Sequence, residues 1–160
     1  VASCTLGVSC SIVLQGIGLA NSSWLLIVAP ASQGPSCDAN ASVANVSGFG
    51  NPVLQAPGPS PSSSATHLLG VALEGAAGSY YLCWADSGNS NLSASSTAPA
   101  LGSFVVQVGS LVIVGPTLPS PGTAKTLLRC WAGFECQLAL AGVGLSKADN
   151  RLVLVDATSQ

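Results

Sequence analysis

Short apolar runs alternate along the chain with segments rich in Gly, Pro, Ser and Asn, and no run keeps a helical period. One face of the first strong run is formed by every second residue: Cys10, Ile12, Leu14 and Gly16. Six further runs have β character: Trp24–Ala29, His67–Glu74, Ser79–Ala85, Phe104–Val114, Lys125–Trp131 and Arg151–Asp156. This pattern predicts an all-β fold, a β-sandwich. Within the longest run, Gly109 predicts a bulge or a bend where the strand changes sheets.

An internal repeat with an offset of 126 residues is the most specific feature of the sequence. The segments 4–19 and 130–145 both read C-x5-C-x5-G-x-G-L. After a one-residue insertion, Leu25–Val28 matches Leu152–Val155. The strand face of the first copy therefore has a counterpart in the second copy: Cys136, Leu138, Leu140 and Gly142.

The end of the first copy is marked by Gly115-Pro116, after which a Pro-containing stretch reads as a linker. We therefore divide the chain into a nearly complete unit, 1–115, and an incomplete second repeat, 116–160. Without the later strands of a full copy, several leucines of the second repeat would face water: Leu138, Leu140, Leu152 and Leu154. Because such exposure is unfavourable, residues 116–160 are predicted to be a strand-donating assembly element.

The motifs that open and close the copies resemble a known family. A Gly-Pro start, an apolar strand, Gly-x-Gly-Leu and another strand resemble immunoglobulin-like repeats of the IPT/TIG type. The ending Val-Gly-x-Leu-x-x-x-Gly-Pro resembles tandem extracellular β-repeats of algal and protist surface or fibre proteins. Tyr81, two residues before Cys83, has the position of the tyrosine corner in immunoglobulin-like sandwiches. The position of Cys37, after the second strand, departs from that pattern. The resemblance implies an immunoglobulin-like sandwich and an extracellular location.

The composition is unusual for a chain without a membrane span. Only 6% of residues are charged, against roughly 25% in an ordinary soluble domain. The net charge of −2 gives no electrostatic case for nucleic acid or an anionic membrane as a partner. The apolar runs 11–19 and 24–31 are interrupted by Asn21-Ser22-Ser23 and are shorter than the roughly 18 residues of a span. Hydroxyl-rich faces, glycans or neighbouring copies must therefore cover the surface.

The six cysteines, an even number in a short chain, indicate an oxidising and therefore extracellular compartment. Since C-x5-C occurs once in each copy, the economical pairing is Cys4 with Cys10 and Cys130 with Cys136. Cys37 and Cys83 then form the third disulfide. A zinc site is disfavoured, because zinc ligand pairs are typically spaced C-x2-4-C and no histidine cluster is present. The chain has no Met and begins with Val1, which predicts a removed signal segment or a window from a longer chain.

Candidate catalytic chemistry is sparse. The one histidine, His67, lies on an apolar strand, where a structural role is expected, and no G-x-S-x-G elbow accompanies it. No motif joins any two of the acidic residues: Asp38, Glu74, Asp86, Glu135, Asp149 and Asp156. Gly16 and Gly18 are interpreted as a strand end and a tight turn, since no third Gly or helix follows as in a phosphate loop. We predict no enzyme activity, no cofactor, and no catalytic, cofactor-binding or metal site.

Glycosylation is the modification that the sequence indicates. Four Asn-x-Ser sequons occur in or beside predicted loops, at Asn21, Asn40, Asn45 and Asn91, and we expect at least two to carry glycans. Four prolines lie in Ser-Pro stretches of the kind that algal and plant walls hydroxylate and O-glycosylate: Pro59, Pro61, Pro119 and Pro121. A stiff, extended linker is an equal alternative for these stretches.

Two functions fit these observations. The first is a structural subunit of a glycosylated extracellular fibre or cell-surface appendage. It would assemble with itself, head to tail, into a homopolymer through β-strand complementation. The alternative is an adhesion or binding module, one window of a tandem-repeat surface receptor or adhesin. A fibre predicts apolar strand contacts between copies, whereas an adhesin predicts a monomer with a polar or aromatic patch on its loops.

Overall fold

The computed structural model describes residues 1–30, 37–38, 40–59, 61–74, 77–87, 97–117, 130–137 and 139–154. These residues form an all-β fold, in which the only helix is a short 3-10 turn at Leu101–Ser103. The strands are β1 Ala2–Thr5, β2 Ser9–Leu19, β3 Ser23–Val28, β4 Ser47–Phe49, β5 Val53–Leu54, β6 Ser62–Glu74, β7 Gly78–Asp86, β8 Val106–Pro116 and β9 Gly142–Val143.

Two sheets form the sandwich, which confirms the predicted fold class. The larger sheet has the order β1-β8-β7-β3-β5, with β9 pairing the end of β8, and the smaller sheet has the order β2-β6-β4. β1 runs parallel to β8, and the other pairs are antiparallel. The rows β8-β7-β3 and β2-β6-β4 correspond to strands G-F-C and B-E-D of an immunoglobulin-like sandwich. The departure is β5, which lies between β4 and β6 in sequence but pairs with β3.

The main core lies between the two sheets. Its largest fully buried members come from β3, β6 and β8: Leu25, Ile27, Leu69, Leu111 and Ile113. The predicted face of β2 points into this core through Cys10 and Ile12, with Leu14 half-buried and Gly16 exposed. The period-two pattern of the sequence therefore placed this face correctly, because alternate side chains of a strand point to opposite faces.

A second apolar cluster covers the other face of the larger sheet. Trp24, Leu26 and Val28 of β3 pack there with Cys83 of β7 and with Phe104, which precedes β8. All six residues of β3 are consequently buried. A strand that is buried on both faces reads as a continuous apolar run rather than an alternating one, as the sequence of β3 does.

Two glycine-based expectations need correction. The register of β7 and β8 shifts between Leu82, opposite Gly109, and Cys83, opposite Gln107, so the predicted bulge is present. However, β8 stays in one sheet, and the predicted change of sheet is wrong. Gly16 and Gly18 do not end a strand either, because β2 continues to Leu19 across a register shift against β6. Left-handed backbone at Gly18 accommodates that irregularity within the strand.

Over its described residues, 130–137 and 139–154, the second copy does not repeat the strands of the first. Residues 135–137 and 139–141 are not in a strand, and within this described part only Gly142–Val143 pairs, with Gly115 and Pro116 of β8. The predicted strand 151–156 is irregular over its described part, 151–154, and most of the predicted strand 125–131 lies outside the described residues. The physical reason is pairing: β3, the counterpart of 152–155, has β5 and β7 on its two sides, whereas no described residue pairs with 151–154.

Candidate functional site

Three disulfides connect the six cysteines, in the pairing that the repeated spacing predicts. Cys4–Cys10 joins β1 to β2, Cys37–Cys83 joins the segment after β3 to β7, and Cys130–Cys136 closes a loop of the second copy. Their Cα–Cα distances are 5.6, 5.6 and 5.7 Å, within the normal range for a disulfide. No cysteine is left as a free thiol.

His67 lies in β6 with no exposed surface. Its Nδ1 is 3.3 Å from the carbonyl oxygen of Val53, and since a carbonyl only accepts, Nδ1 carries the proton. The neighbouring polar groups are also buried, and His67 Nε2, Ser23 Oγ and Gln55 Oε1 have no hydrogen-bond partner among the described residues. A substrate cannot reach a ring that is closed from solvent, so this arrangement favours the structural role expected for His67.

Burial lowers the pKa of His67, because desolvation disfavours the imidazolium form. Between the folded pKa and the unfolded value near 6.5, the unfolded chain therefore binds more protons than the folded one. The free energy of unfolding is expected to have its full value above about pH 6.5 and to decrease as the pH falls below it, by up to about 1.4 kcal/mol per pH unit. Denaturant unfolding between pH 5 and 8 measures this slope. His67→Leu is the control, since it removes the only histidine; equal slopes in both proteins would contradict the prediction.

The acidic residues do not assemble a site in the part of the chain that the structure describes. No group of three or more His, Cys, Asp or Glu side chains there is placed to hold a metal ion. Asp86 accepts a hydrogen bond from the Ser22 hydroxyl at the end of β7, and the Asp38 carboxylate accepts one from the Asn40 backbone. Among the same residues, no helix is long and apolar enough to cross a membrane.

The predicted modification sites differ in accessibility. Asn40 and Asn45 are exposed, whereas Asn21 is half-buried and its side-chain amide donates a hydrogen bond to the carbonyl of Gly58 at 3.1 Å. Pro59 and Pro61 are exposed in the loop before β6. The remaining predicted sites, Asn91, Pro119 and Pro121, lie outside the described residues.

The second copy presents an apolar surface. Its described residues, 130–137 and 139–154, contain no buried side chain. Trp131 and Phe134, in the loop closed by Cys130–Cys136, are 75% and 80% exposed, and Leu154 is 90% exposed. Leu140, Leu145, Leu152 and Val153 are exposed as well. Such a density of exposed large apolar side chains is typical of an interaction surface.

An open groove of about 520 Å³ lies at the end of the sandwich where β2 ends and β8 begins. It is lined by residues 13–17 and Leu19 of β2 and by Trp84 and Val108 of the facing sheet. The Trp84 Nε1 atom is buried and has no hydrogen-bond partner among the described residues. The side chains that line the groove are thus mainly apolar, whereas the Trp84 indole N–H is itself buried and has no exposed surface in the groove.

Charge is distributed unevenly between the two copies. The unit 1–115 contains three acidic residues and no Lys or Arg, whereas all four cations lie in the second repeat: Lys125, Arg129, Lys147 and Arg151. With three acidic residues of its own, the second repeat has a net charge of +1, against −3 for the first unit. The two parts are thus electrostatically complementary.

Asn51 is a structural residue that the sequence reasoning missed. Its Oδ1 accepts a hydrogen bond from the backbone of Ile27 at 2.9 Å, and its Nδ2 donates to the carbonyls of Ile27 and Ala44 at 2.8 and 3.0 Å. The side chain thereby takes the place of a strand partner beside β3. A single Asn before Pro in a loop is a turn signal, and nothing local in the sequence distinguishes this use.

Comparisons of this chain with protein-family models, with curated proteins and with solved structures found no match.

Proposed function

We propose that this chain is a structural subunit of a glycosylated extracellular fibre or cell-surface appendage, which assembles head to tail through residues 116–160. The observation that carries the proposal is the second copy, whose described residues bury no side chain and expose many large apolar ones. Burying one such side chain stabilises by about 1.5–3 kcal/mol, so contact with a neighbouring copy is strongly favoured over exposure.

The extracellular part of the proposal is supported by the three disulfides, which persist in oxidising compartments. Glycans on the exposed Asn40 and Asn45 would supply the solubility that a chain with 6% charged residues lacks. The immunoglobulin-like resemblance to surface and fibre repeats points to the same setting.

An adhesion or binding module is the second candidate. The observation that favours it is the Cys130–Cys136 loop, on which Trp131 and Phe134 are exposed close together in sequence. Aromatic residues on a disulfide-closed loop are the kind of anchor that carries binding energy in many interfaces. In that case the full chain would remain a monomer, because the aromatic loop would meet a different protein.

Truncation after Pro116 distinguishes the two functions. The shortened chain keeps β1 to β8 and both disulfides of the first unit, so it is expected to fold, with sheet content in circular dichroism and a cooperative unfolding transition. It should sediment as a monomer and form no filaments in negative-stain images, whereas the full chain should form them. Filaments from the truncated chain would contradict the proposal, and a full chain that stays monomeric would favour the adhesion module.

A further inference from the structure

We propose that the groove at the end of the sandwich is an acceptor site for a second copy of this chain, and that residues 151–154 of that copy enter it as an added strand beside β2. This inference rests on the proposed function, since it names the contact through which the subunits would assemble.

The acceptor is β2, the edge strand of the smaller sheet, whose backbone hydrogen-bonding groups are only partly paired. In the described residues β2 pairs only with β6, and this pairing is interrupted between Gln15 and Leu19. Ile17, in that interruption, is fully exposed at the mouth of the groove. Unpaired backbone on an exposed edge strand is a template for a strand of another chain.

The donor is the part of the second copy that corresponds to β3. By the repeat, Leu152, Val153 and Leu154 match Leu25, Leu26 and Ile27. In β3 the first and third of these positions face the core between the sheets, and the middle one faces the outer cluster. The donor residues have the same period: Leu152 and Leu154 would enter the groove together, and Val153 would point away from it. All three are exposed in their own chain, so the segment does not occupy that chain's own groove.

The positions of the donor and the acceptor favour a second copy as the occupant. The second repeat leaves the first unit at the end of β8, where β9 pairs with Gly115 and Pro116. The groove is lined by Val108, near the start of β8. Since β8 runs the length of the sandwich, the donor-bearing repeat starts from one end of the unit and the acceptor lies at the other. This is the polarity of a heterologous contact that repeats from copy to copy.

Charge complementarity supports the same pairing. Arg151 immediately precedes the apolar donor residues, and the unit that carries the groove has no cation. Asp86 lies two residues beyond Trp84 in β7, at the end of the sandwich where the groove opens. A copy that inserts residues 152–154 therefore brings a cation to a unit whose net charge is −3, which favours this partner over a positively charged one.

The test uses paired variants of the full chain. The donor variant is Leu152→Asp with Leu154→Asp, and the acceptor variant is Ile17→Asp with Val108→Asp; all four side chains are exposed, so folding should be retained. Each variant is expected to lower the association constant of the chain at least about 100-fold in sedimentation equilibrium, as loss of two buried apolar contacts requires. An equimolar mixture should form 1:1 dimers and nothing larger, because it has one intact donor and one intact acceptor per pair.

Matched controls distinguish this contact from nonspecific association through exposed apolar side chains. Val153→Asp changes the donor residue that points away from the groove, and Leu68→Asp changes an exposed leucine on β6 that does not line it. Both variants should assemble like the unaltered chain. Assembly that survives in the acceptor variant but not in the donor variant would overturn the assignment of the groove as the acceptor, while the filament proposal would stand. Assembly that survives in the donor variant, or is lost equally in the controls, would overturn the inference. An unaltered chain that never assembles would overturn both.

Discussion

Phe104→Ala is expected to lower the free energy of unfolding by about 3–5 kcal/mol, the range for truncation of a fully buried aromatic side chain. The ring has no exposed surface and is the largest fully buried side chain among the described residues. It packs on the outer face of the larger sheet against residues of β3 and β7, so its removal leaves a cavity over the centre of that sheet. Chemical denaturation followed by tryptophan fluorescence measures the change, since Trp24 belongs to the same cluster.

Val105→Ala is the matched control, because the neighbouring side chain is 62% exposed. Its effect should stay within about 0.5 kcal/mol, as is usual for surface substitutions. If the two variants were equally stable, Phe104 would not be part of a core, and the second apolar cluster would have to be abandoned.

Removal of the Cys37–Cys83 disulfide is the second large effect. The bond closes a loop with a sequence separation of 46, and the chain-entropy relation for such a loop gives a loss of about 4 kcal/mol. The double variant Cys37→Ala with Cys83→Ala is therefore expected to unfold at a clearly lower denaturant concentration than the unaltered chain. Because Cys83 is fully buried in the outer cluster, its replacement by Ala also removes packing contacts there.

The other two disulfides provide graded controls. Cys4–Cys10 has a sequence separation of only 6, for which the same relation gives about 2 kcal/mol, although both of its cysteines are buried as well. Loss of Cys130–Cys136, which has the same separation and lies outside the sandwich cores, should leave the main unfolding transition unchanged. An effect of Cys37–Cys83 no larger than that of Cys4–Cys10 would contradict the loop-length argument.

The two predictions concern one feature of the fold, the second core on the outer face of the larger sheet. In an ordinary sandwich that face is solvated, whereas here Phe104 before β8, together with Cys37 and Ala41, covers it. The cover accounts for part of the apolar composition, since it buries residues that an uncovered sheet would have to replace with polar ones. The exposed apolar side chains of the second copy are not explained in this way, and for them we propose contact between copies.

Much of the sandwich could be predicted from local pattern. The long strands were found in large part, with β3 predicted at Trp24–Ala29 and observed at Ser23–Val28, and β7 predicted at Ser79–Ala85 and observed at Gly78–Asp86. For β6 the prediction began at His67, whereas the strand begins five residues earlier, at Ser62. The short strands β1, β4 and β5 were missed, because two to four residues carry no clear period. They form only where β8, β6 and β3 provide partners. Gly48 and Gly70 illustrate this: a side chain on either would strike the other strand's backbone, a constraint visible only once β4 and β6 are paired.

By itself, the sequence determined most of each long strand of the first unit, the inward face of β2 and the pairing of the six cysteines, because the alternation of apolar residues and a spacing repeated within the chain can be read without knowing which segments meet in space. Only the tertiary structure decided that Phe104 covers a second core, that Asn51 serves as a strand partner for Ile27, and that the groove opens beside Trp84. It also decided that residues 151–154 stay irregular although their sequence matches a central strand. The reason is common to all four: a strand or a buried side chain is stable only with the neighbours that satisfy its hydrogen bonds and cover its apolar surface, and a sequence pattern does not state where those neighbours are.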